Sequence, residues 1–263
     1  MITYPSMDPI ALSVGPLHVH WYGVMYLLGF FASWLLARFR VKRYHLEWTS
    51  EQVSDLIFFA ALGVIIGGRL GYMVFYNTHH LLSHPLDVLK LWEGGMSFHG
   101  GLLGVGAALW YGSYKLKKPF WQVADFYAPL VPLGLAAGRA GNFINGELWG
   151  RVTTMPWGMV FPEGGPLPRH PSQLYELGLE GIGLFVLVWW YASRSRPAGT
   201  VSAVFLMGYA VCRLIVECFR EPDLQLGFFF DWFTMGQLLS VPMLLGGVLL
   251  WWIKRDETLP TVS

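Results

Sequence analysis

Residues 53–75 read VSDLIFFAALGVIIGGRLGYMVF, an apolar run interrupted by two charged side chains. A helix needs about 20 mostly apolar residues to cross a bilayer core about 30 Å thick, and this run is long enough. Gly63, Gly67 and Gly71 recur at every fourth position, a spacing that lets another helix approach closely. The stretch therefore predicts a transmembrane helix that packs tightly against a neighbour.

Six further apolar runs have comparable lengths, at residues 19–40, 98–114, 121–138, 173–193, 200–219 and 233–253. With residues 53–75 they predict an all-α polytopic membrane protein with seven transmembrane helices. The run at 98–114 carries a second small-residue pair, Gly100 and Gly104. No repeat or linker divides the chain, so we predict one membrane domain over residues 1–263. Residues 139–172 would form a small extracytoplasmic head between spans four and five.

The composition excludes several classes of protein. Only 13% of the residues are charged and 54% are hydrophobic, which is unlike a soluble domain. A formal net charge of +1 gives no basic face for a nucleic acid. His79, His80 and His84 have no cysteine partners, and no paired aspartates or nucleotide-binding glycine loop occur, so we expect neither metal nor cofactor.

The basic residues predict the orientation of the chain in the membrane. Eleven of the 18 follow spans one, three, five and seven: Arg38, Arg40, Lys42, Arg43, Lys115, Lys117, Lys118, Arg194, Arg196, Lys254 and Arg255. The positive-inside rule then places the N-terminus outside and the C-terminus in the cytoplasm. The other seven would lie on the outer side: Arg69, Lys90, Arg139, Arg151, Arg169, Arg213 and Arg220.

The polar segment GRAGNFINGELWGR, at residues 138–151, follows the fourth apolar run directly. Charges at this depth are costly unless they contact something, which favours a functional site. Guanidinium and amide groups suit a phosphate, and glycines in a turn would let backbone N–H groups approach one. A lipid headgroup is the phosphate available at the bilayer surface. The alternative is a turn at a helix end whose polar groups satisfy one another.

Other polar residues would lie at the same depth. Tyr209, Arg213 and Glu217 are spaced four apart and share one face of the sixth predicted helix. His99 opens the third span, and Tyr22 opens the first. Each has a structural alternative: an i,i+4 ion pair for Arg213 and Glu217, a histidine bonded to backbone, and an aromatic belt.

Six motifs, taken in chain order, resemble those of the bacterial phosphatidylglycerol–prolipoprotein diacylglyceryl transferases. They occupy residues 20–23, 67–72, 94–101, 138–151, 169–176 and 209–220. The resemblance implies a seven-helix protein of the bacterial cytoplasmic (inner) membrane whose active site faces the outer, periplasmic side. Its partners would be the lipid bilayer, phosphatidylglycerol and the signal peptide of a prolipoprotein. The enzyme would transfer a diacylglyceryl group to the thiol of the lipobox cysteine and release glycerol phosphate.

The residues and the resemblance together give a predicted set of site residues. The expected catalytic residues are His99, Arg139, Glu147, Arg213 and Glu217. Phosphatidylglycerol would contact Tyr22, Arg69, Arg139, Asn142, Asn145, Gly150 and Tyr209. In this scheme an arginine and the glycine-rich turn cradle the phosphate, and His99 takes the thiol proton. The two glutamates orient the arginines or contact glycerol hydroxyls.

Two competing functions fit parts of the same pattern. Ser97 and His99 superficially offer the nucleophile and base of an intramembrane serine protease, although a separation of two residues suits that bond poorly. Alternatively, outer arginines that bind lipid headgroups would suit a lipid transporter. A transporter would move the lipid unchanged, whereas a transferase would consume it.

Overall fold

A computed structural model describes residues 2–5, 7–15, 17–75, 77–90, 95–222 and 233–257. The chain is mostly helical. Its helices are α1 (Trp21–Tyr44), α2 (Ser50–Phe75), α3 (Thr78–Ser83), α4 (Phe98–Leu116), α5 (Phe120–Tyr127), α6 (Val131–Asn145), α7 (Ser172–Glu176), α8 (Leu184–Ala192), α9 (Thr200–Glu217) and α10 (Met235–Lys254). A 3₁₀ turn spans Pro85–Leu89, and a π-helical segment, Leu177–Gly183, joins α7 to α8. The short strands are β1 (Ile2–Thr3), β2 (Ile10–Val14), β3 (Leu17–His20) and β4 (Met159–Val160).

Five helical stretches within the described residues are long and apolar enough to cross a membrane. They are Trp21–Tyr44, Ser50–Val74, Ser172–Ala192, Thr200–Glu217 and Met235–Lys254. Large apolar side chains such as Leu27, Phe58 and Leu245 are exposed on their surfaces, as lipid contact requires. The prediction of a helical, multi-pass membrane protein is confirmed at this level.

The fourth predicted span differs from the prediction of one helix at 121–138. It folds as α5 and α6, with a break at residues 128–130. Pro129 and Pro132 cause the break, because proline lacks a backbone N–H and is tolerated only in the first turn of a helix. Helix α6 then continues to Asn145, so the non-helical segment begins there rather than at residue 139.

The chain forms two compact units. The inserted unit is Trp34–Ala124, and the main unit combines Met1–Ser33 with Asp125–Ser263. In the inserted unit, α2 and α4 cross at glycines: a Cβ on Gly67 would overlap the carbonyl oxygen of Gly100, and one on Gly104 would overlap that of Gly63. The predicted close approach at these small residues is therefore confirmed.

In the main unit, α9 packs against α8 on one side and α10 on the other. Leu184 of α8 contacts Gly208, and Gly247 of α10 lies against the backbone of Ala203. Asp125 fixes the first turn of α9, since its carboxylate accepts bonds from the N–H of Gly199 at 2.7 Å and of Ser202 at 2.8 Å. A carboxylate at a helix N-terminus also interacts favourably with the helix dipole.

Residues 146–171 form a small head in the main unit. Gly146 ends α6 in the left-handed region, with φ of +69°. Strand β1 pairs in parallel with β4, and Tyr4 follows β1. The Tyr4 hydroxyl lies 2.5 Å from the carbonyl of Phe143 and 2.8 Å from that of Ile144, the last carbonyls of α6. The N-terminal segment therefore secures the end of α6.

The glycine crossing of α2 and α4 gives a stability prediction. Gly67→Ala should lower the free energy of unfolding by about 1–3 kcal/mol, because its methyl group has no space against Gly100. The matched control is Gly106→Ala, where a Cβ would meet nothing within 4 Å, and it should leave the melting temperature unchanged or raised. Thermal unfolding in detergent measures both. Equal melting temperatures for the two variants would contradict this close packing of α2 on α4.

Candidate active site

The last turns of α6 present one polar row. Arg139 is partly accessible, with 16% of its side chain exposed, whereas Asn142 is buried. The Arg139 Nη1 donates to Asn142 Oδ1 at 3.4 Å. The amide of Asn142 in turn donates to Glu147 Oε1 at 2.9 Å, and the amide of Asn145 donates to the same oxygen at 3.3 Å. Glu147 therefore orients Arg139 through Asn142, not by direct contact.

Helix α9 carries the predicted face of Tyr209, Arg213 and Glu217, and all three side chains are buried. Arg213 Nη2 lies 2.9 Å from Glu217 Oε2, so the i,i+4 ion pair that was the structural alternative is present. Gly236 of α10 packs directly on this carboxylate, since a Cβ there would lie 2.6 Å from the Glu217 Cδ. The ion pair is thus enclosed by protein.

Two further carboxylates, Glu176 and Glu180, bring Arg139 and Arg213 together. Glu176 Oε1 lies 3.2 Å from Arg139 Nη2 and 2.5 Å from Arg213 Nη1. Glu180 lies farther away, at 3.9 Å from Arg139 Nη2 and 3.5 Å from Arg213 Nη1. Both glutamates are 0% exposed. Together with Glu217 these residues form what we call the arginine–glutamate cluster: Arg139, Glu176, Glu180, Arg213 and Glu217.

Glu176 and Glu180 were not among the predicted site residues. A signal was available, because two carboxylates four residues apart inside an apolar run fall on one helical face and cannot face lipid. Nothing in the sequence indicated that Glu180 lies in a π-helical segment. Gly181 in this segment lets α6 approach, since a Cβ on it would lie 2.7 Å from the Cβ of Ala136. Short π-helical segments of this kind are frequent at functional sites.

The prediction that the glycine-rich segment 138–151 forms a phosphate-binding turn is wrong for most of that segment. Residues 138–145 are helical, so their backbone N–H groups lie within α6. Gly141 serves packing instead, because a Cβ on it would lie 2.9 Å from the ring of Tyr22. The Tyr22 hydroxyl is 3.2 Å from that of Tyr26. A phosphate near Arg139 would therefore meet side chains rather than a backbone cradle.

Gly150 lies in the head, where its N–H donates to the carbonyl of His170 at 2.8 Å. Arg169 donates to the carbonyls of Gly164 and Gly150, at 2.7 and 3.2 Å, and pairs with Glu221 at 3.1 Å. Arg151 Nε donates to the carbonyl of Arg220 at 3.0 Å. These residues hold the head together through the backbone.

Helix α7 packs against the head through a cluster of three aromatic rings. The rings of His170, Tyr175 and Phe219 contact one another edge to face, at centroid distances of 5.2 to 5.7 Å. The Tyr175 hydroxyl lies 3.0 Å from His170 Nδ1 and accepts from Trp157 Nε1 at 2.7 Å. Burial lowers the pKa of His170, which favours the neutral ring at neutral pH.

The inserted unit contains the other predicted residues, Arg69 and His99. Arg69 is buried and donates to the carbonyls of Asp87 at 2.8 Å and Val88 at 3.3 Å. His99 lies in the first turn of α4, but its side chain falls outside the described residues. The nearby Ser97 caps that helix, since its hydroxyl accepts from the N–H of Gly100 at 3.2 Å.

Among the described residues, no group of three or more His, Cys, Asp or Glu side chains could hold a metal ion.

The arginine–glutamate cluster contains donors that are fixed in place before any ligand binds. Two adjacent guanidinium groups, one of them partly accessible, form an arrangement suited to an anion with several oxygens.

Comparisons with known proteins found relatives that match nearly the whole length of this chain. The model of the family described as prolipoprotein diacylglyceryl transferase matches residues 9–253. A phosphatidylglycerol–prolipoprotein diacylglyceryl transferase of Legionella pneumophila (strain Lens) is 64% identical, covering 97% of this chain and 100% of the relative. Proteins with the same name from Coxiella burnetii (strain RSA 331 / Henzerling II) and Pseudomonas paraeruginosa (strain DSM 24068 / PA7) are 58% and 54% identical. These alignments cover 98% and 100% of this chain, and 99% and 100% of the respective relatives. The chain therefore belongs to the prolipoprotein diacylglyceryl transferase family.

Proposed function

We propose that this protein transfers the diacylglyceryl group of phosphatidylglycerol to the lipobox cysteine of prolipoproteins, the first step of lipoprotein maturation. The names of its relatives support this activity. The structural observation that supports it best is the pair of guanidinium groups, Arg139 and Arg213, held on the one carboxylate oxygen of Glu176. A phosphodiester is the anionic part of the lipid, and paired guanidinium groups suit it.

The reaction alkylates sulfur. The thiolate attacks the glycerol carbon that bears the phosphate, a new C–S bond forms, and the C–O bond breaks. The electron pair of that bond goes to the departing glycerol phosphate, which changes from a phosphodiester to a phosphomonoester and gains one negative charge. Groups that stabilise this developing charge lower the barrier, because they interact more strongly with the transition state than with the substrate.

The burial of the two arginines suggests a division of their roles. Arg213 contacts three carboxylates and is enclosed, so it forms a fixed positive charge behind the phosphate. Arg139 is 16% exposed and contacts Asn142, so it is the arginine that can also reach a ligand. We assign Arg139 and Asn142 to the phosphate of the bound lipid, and Arg213 to the charge that develops on the leaving group. A preorganised donor of this kind typically contributes about 3–4 kcal/mol.

The remaining predicted residues support this arrangement. Glu147 and Asn145 hold the amide of Asn142, and Glu217 holds Arg213. Tyr22 lies against α6 at Gly141, and Tyr209 lies one turn before Arg213, so both would line the lipid path. Gly150 acts through the head, where the size of a glycine is required against Phe219.

His99 is our proposed base for the thiol proton. A cysteine thiol has a pKa of about 8.5 and must lose its proton to attack. Within the inserted unit, the N–H of Ser97 donates to the carbonyl of Gly68 at 2.8 Å, which ties the start of α4 to α2. Arg69 of α2 donates to two backbone carbonyls of the 3₁₀ turn Pro85–Leu89 and so holds that turn against α2. In our proposal Arg69 therefore contributes by securing this turn.

We further propose that the chain crosses the bacterial inner membrane seven times, with the N-terminus outside. Helix α4 would form the third crossing, and α5 with α6 would form the fourth. The distribution of basic residues supports this orientation. The head and the arginine–glutamate cluster would then lie toward the periplasm. Phosphatidylglycerol would enter sideways from the bilayer, and the lipoprotein would bind through its signal-peptide helix.

The first prediction for the proposed function concerns Arg139. Purified protein supplied with phosphatidylglycerol and a lipobox peptide should add a diacylglyceryl mass to the peptide cysteine, read by mass spectrometry. Arg139→Ala should lower the rate at least about 100-fold, because it removes a preorganised phosphate donor. The matched control is Arg194→Ala, an exposed arginine beyond α8, which should keep the wild-type rate.

Each other outcome of this assay has a defined meaning. Unmodified peptide and intact lipid from the wild-type protein would overturn the transferase proposal in favour of lipid transport. A cleaved peptide would indicate a protease. Full activity in the Arg139→Ala variant would be consistent with the proposed reaction but would refute the assigned phosphate contact of Arg139.

The second prediction separates the base from the phosphate contact. If His99 takes the thiol proton, His99→Gln should slow transfer by about 10²–10⁴-fold at neutral pH. Raising the pH should restore part of the rate, because more thiolate then forms without a base. A His99→Gln variant with nearly full activity would show that the arginines alone suffice to generate the thiolate.

A further inference from the structure

The arginine–glutamate cluster contains more carboxylates than guanidinium groups. Arg139 and Arg213 face Glu176, Glu180 and Glu217, so among the described residues full ionisation would leave one buried negative charge without compensation. A charge that is removed from water without compensation is strongly disfavoured. The imbalance would also oppose the entry of an anionic ligand. One carboxyl of the three is therefore expected to hold a proton.

The contacts identify which carboxyl this is. Glu176 and Glu217 lie 2.5 and 2.9 Å from Arg213 nitrogens, whereas the oxygens of Glu180 come no closer than 3.5 Å to a guanidinium nitrogen in the cluster. Neither Glu180 oxygen has a hydrogen-bond donor among the described residues, although the side chain is 0% exposed. Glu180 thus has the weakest stabilisation of a negative charge in the cluster.

Apart from the two arginines, the titratable neighbours of Glu180 do not favour a negative charge on it. Glu176, four residues earlier, contacts the same two arginines, and like charges at this spacing repel. Tyr209 and Cys212 of α9 also lie within electrostatic reach of Glu180, and neither carries a positive charge. Glu176 Oε2 is a buried acceptor without a donor among the described residues. A proton on the glutamate pair would remove one charge and add one donor, as in other buried carboxyl pairs that share a proton.

We propose that Glu180 is the proton-bearing carboxyl of the arginine–glutamate cluster and acts as a positioning residue for Arg139 and Arg213. With Glu180 neutral, two carboxylates balance two guanidinium groups, and the pocket presents no excess negative charge. The benefit for phosphate entry rests on the proposed function. The protonation of Glu180 itself follows from the contacts and the charge count alone.

Infrared difference spectroscopy tests this directly on the full-length protein. The carbonyl stretch of a protonated carboxylic acid is separate from the carboxylate and amide bands, and it moves to lower frequency in D₂O. The protein should be studied at neutral pH, without substrate, in a detergent that has no ester or carboxyl group. Carbonyl bands of any retained lipid esters do not move in D₂O and so are distinguished. Wild-type protein should show one such acid band, and Glu180→Gln should lose it.

Two controls and one conservative variant complete the experiment. Glu147→Gln and Asp125→Asn should keep the band, since each of these carboxylates accepts hydrogen bonds that favour its charged form. Glu180→Asp should keep the band at a changed frequency, which provides a second readout if Glu180→Gln folds poorly.

The absence of the band from the wild-type protein would overturn the proposal. Its persistence in Glu180→Gln, or its loss in Asp125→Asn, would do the same. Transfer measured on the same preparation remains a separate test, because the band is recorded without substrate. The protonation of Glu180 and the transferase activity can therefore fail independently.

Discussion

One carboxylate oxygen of Glu176 holds two guanidinium groups, and the remainder of the site depends on that shared contact. Arg139 comes from α6 and Arg213 from α9, so Glu176 links two helices at one point. Removing one partner of a buried ion pair costs about 3–5 kcal/mol, because it leaves the other charge without compensation. This dependence makes the cluster a single unit, in which each charge fixes the positions of the others.

The helices that carry these charges are fixed from outside the cluster. Asp125 anchors the first turn of α9, and Tyr4 secures the end of α6. Gly181 lets the π-helical segment lie against α6, and Gly236 lets α10 cover the Glu217 carboxylate. Because these supports exist before any substrate binds, the guanidinium groups of the proposed phosphate site would need little reorganisation when charge develops on the leaving phosphate. The head contributes backbone contacts around Gly150 and Arg169. The residues of the cluster itself all lie in helical segments.

Much of the fold could be predicted from apolar length and helical spacing. The helical runs, the close approach of α2 and α4, and the shared face of Tyr209, Arg213 and Glu217 depend on local periodicity, which the sequence displays directly. The break before α6 depends on Pro129 and Pro132, and the hydropathy of 121–138 concealed it. Glu176 and Glu180 were missed because their importance arises from partners that are distant in sequence. Arg151 and Arg169 show the same limit, since their carbonyl partners become neighbours only after folding.

A double-mutant cycle on Arg139 and Arg213 tests the central claim most directly. The specificity constant kcat/KM for diacylglyceryl transfer would be measured for the wild type, Arg139→Lys, Arg213→Lys and the double variant. Lysine keeps the charge but loses the planar fork that meets Glu176. If the two arginines act as one unit, each single change should lower kcat/KM by about 100-fold or more. The kcat/KM of the double variant should then lie within about tenfold of that of the less active single variant. Losses that multiply would show two independent arginines, and would contradict the claim that Glu176 joins them into one unit.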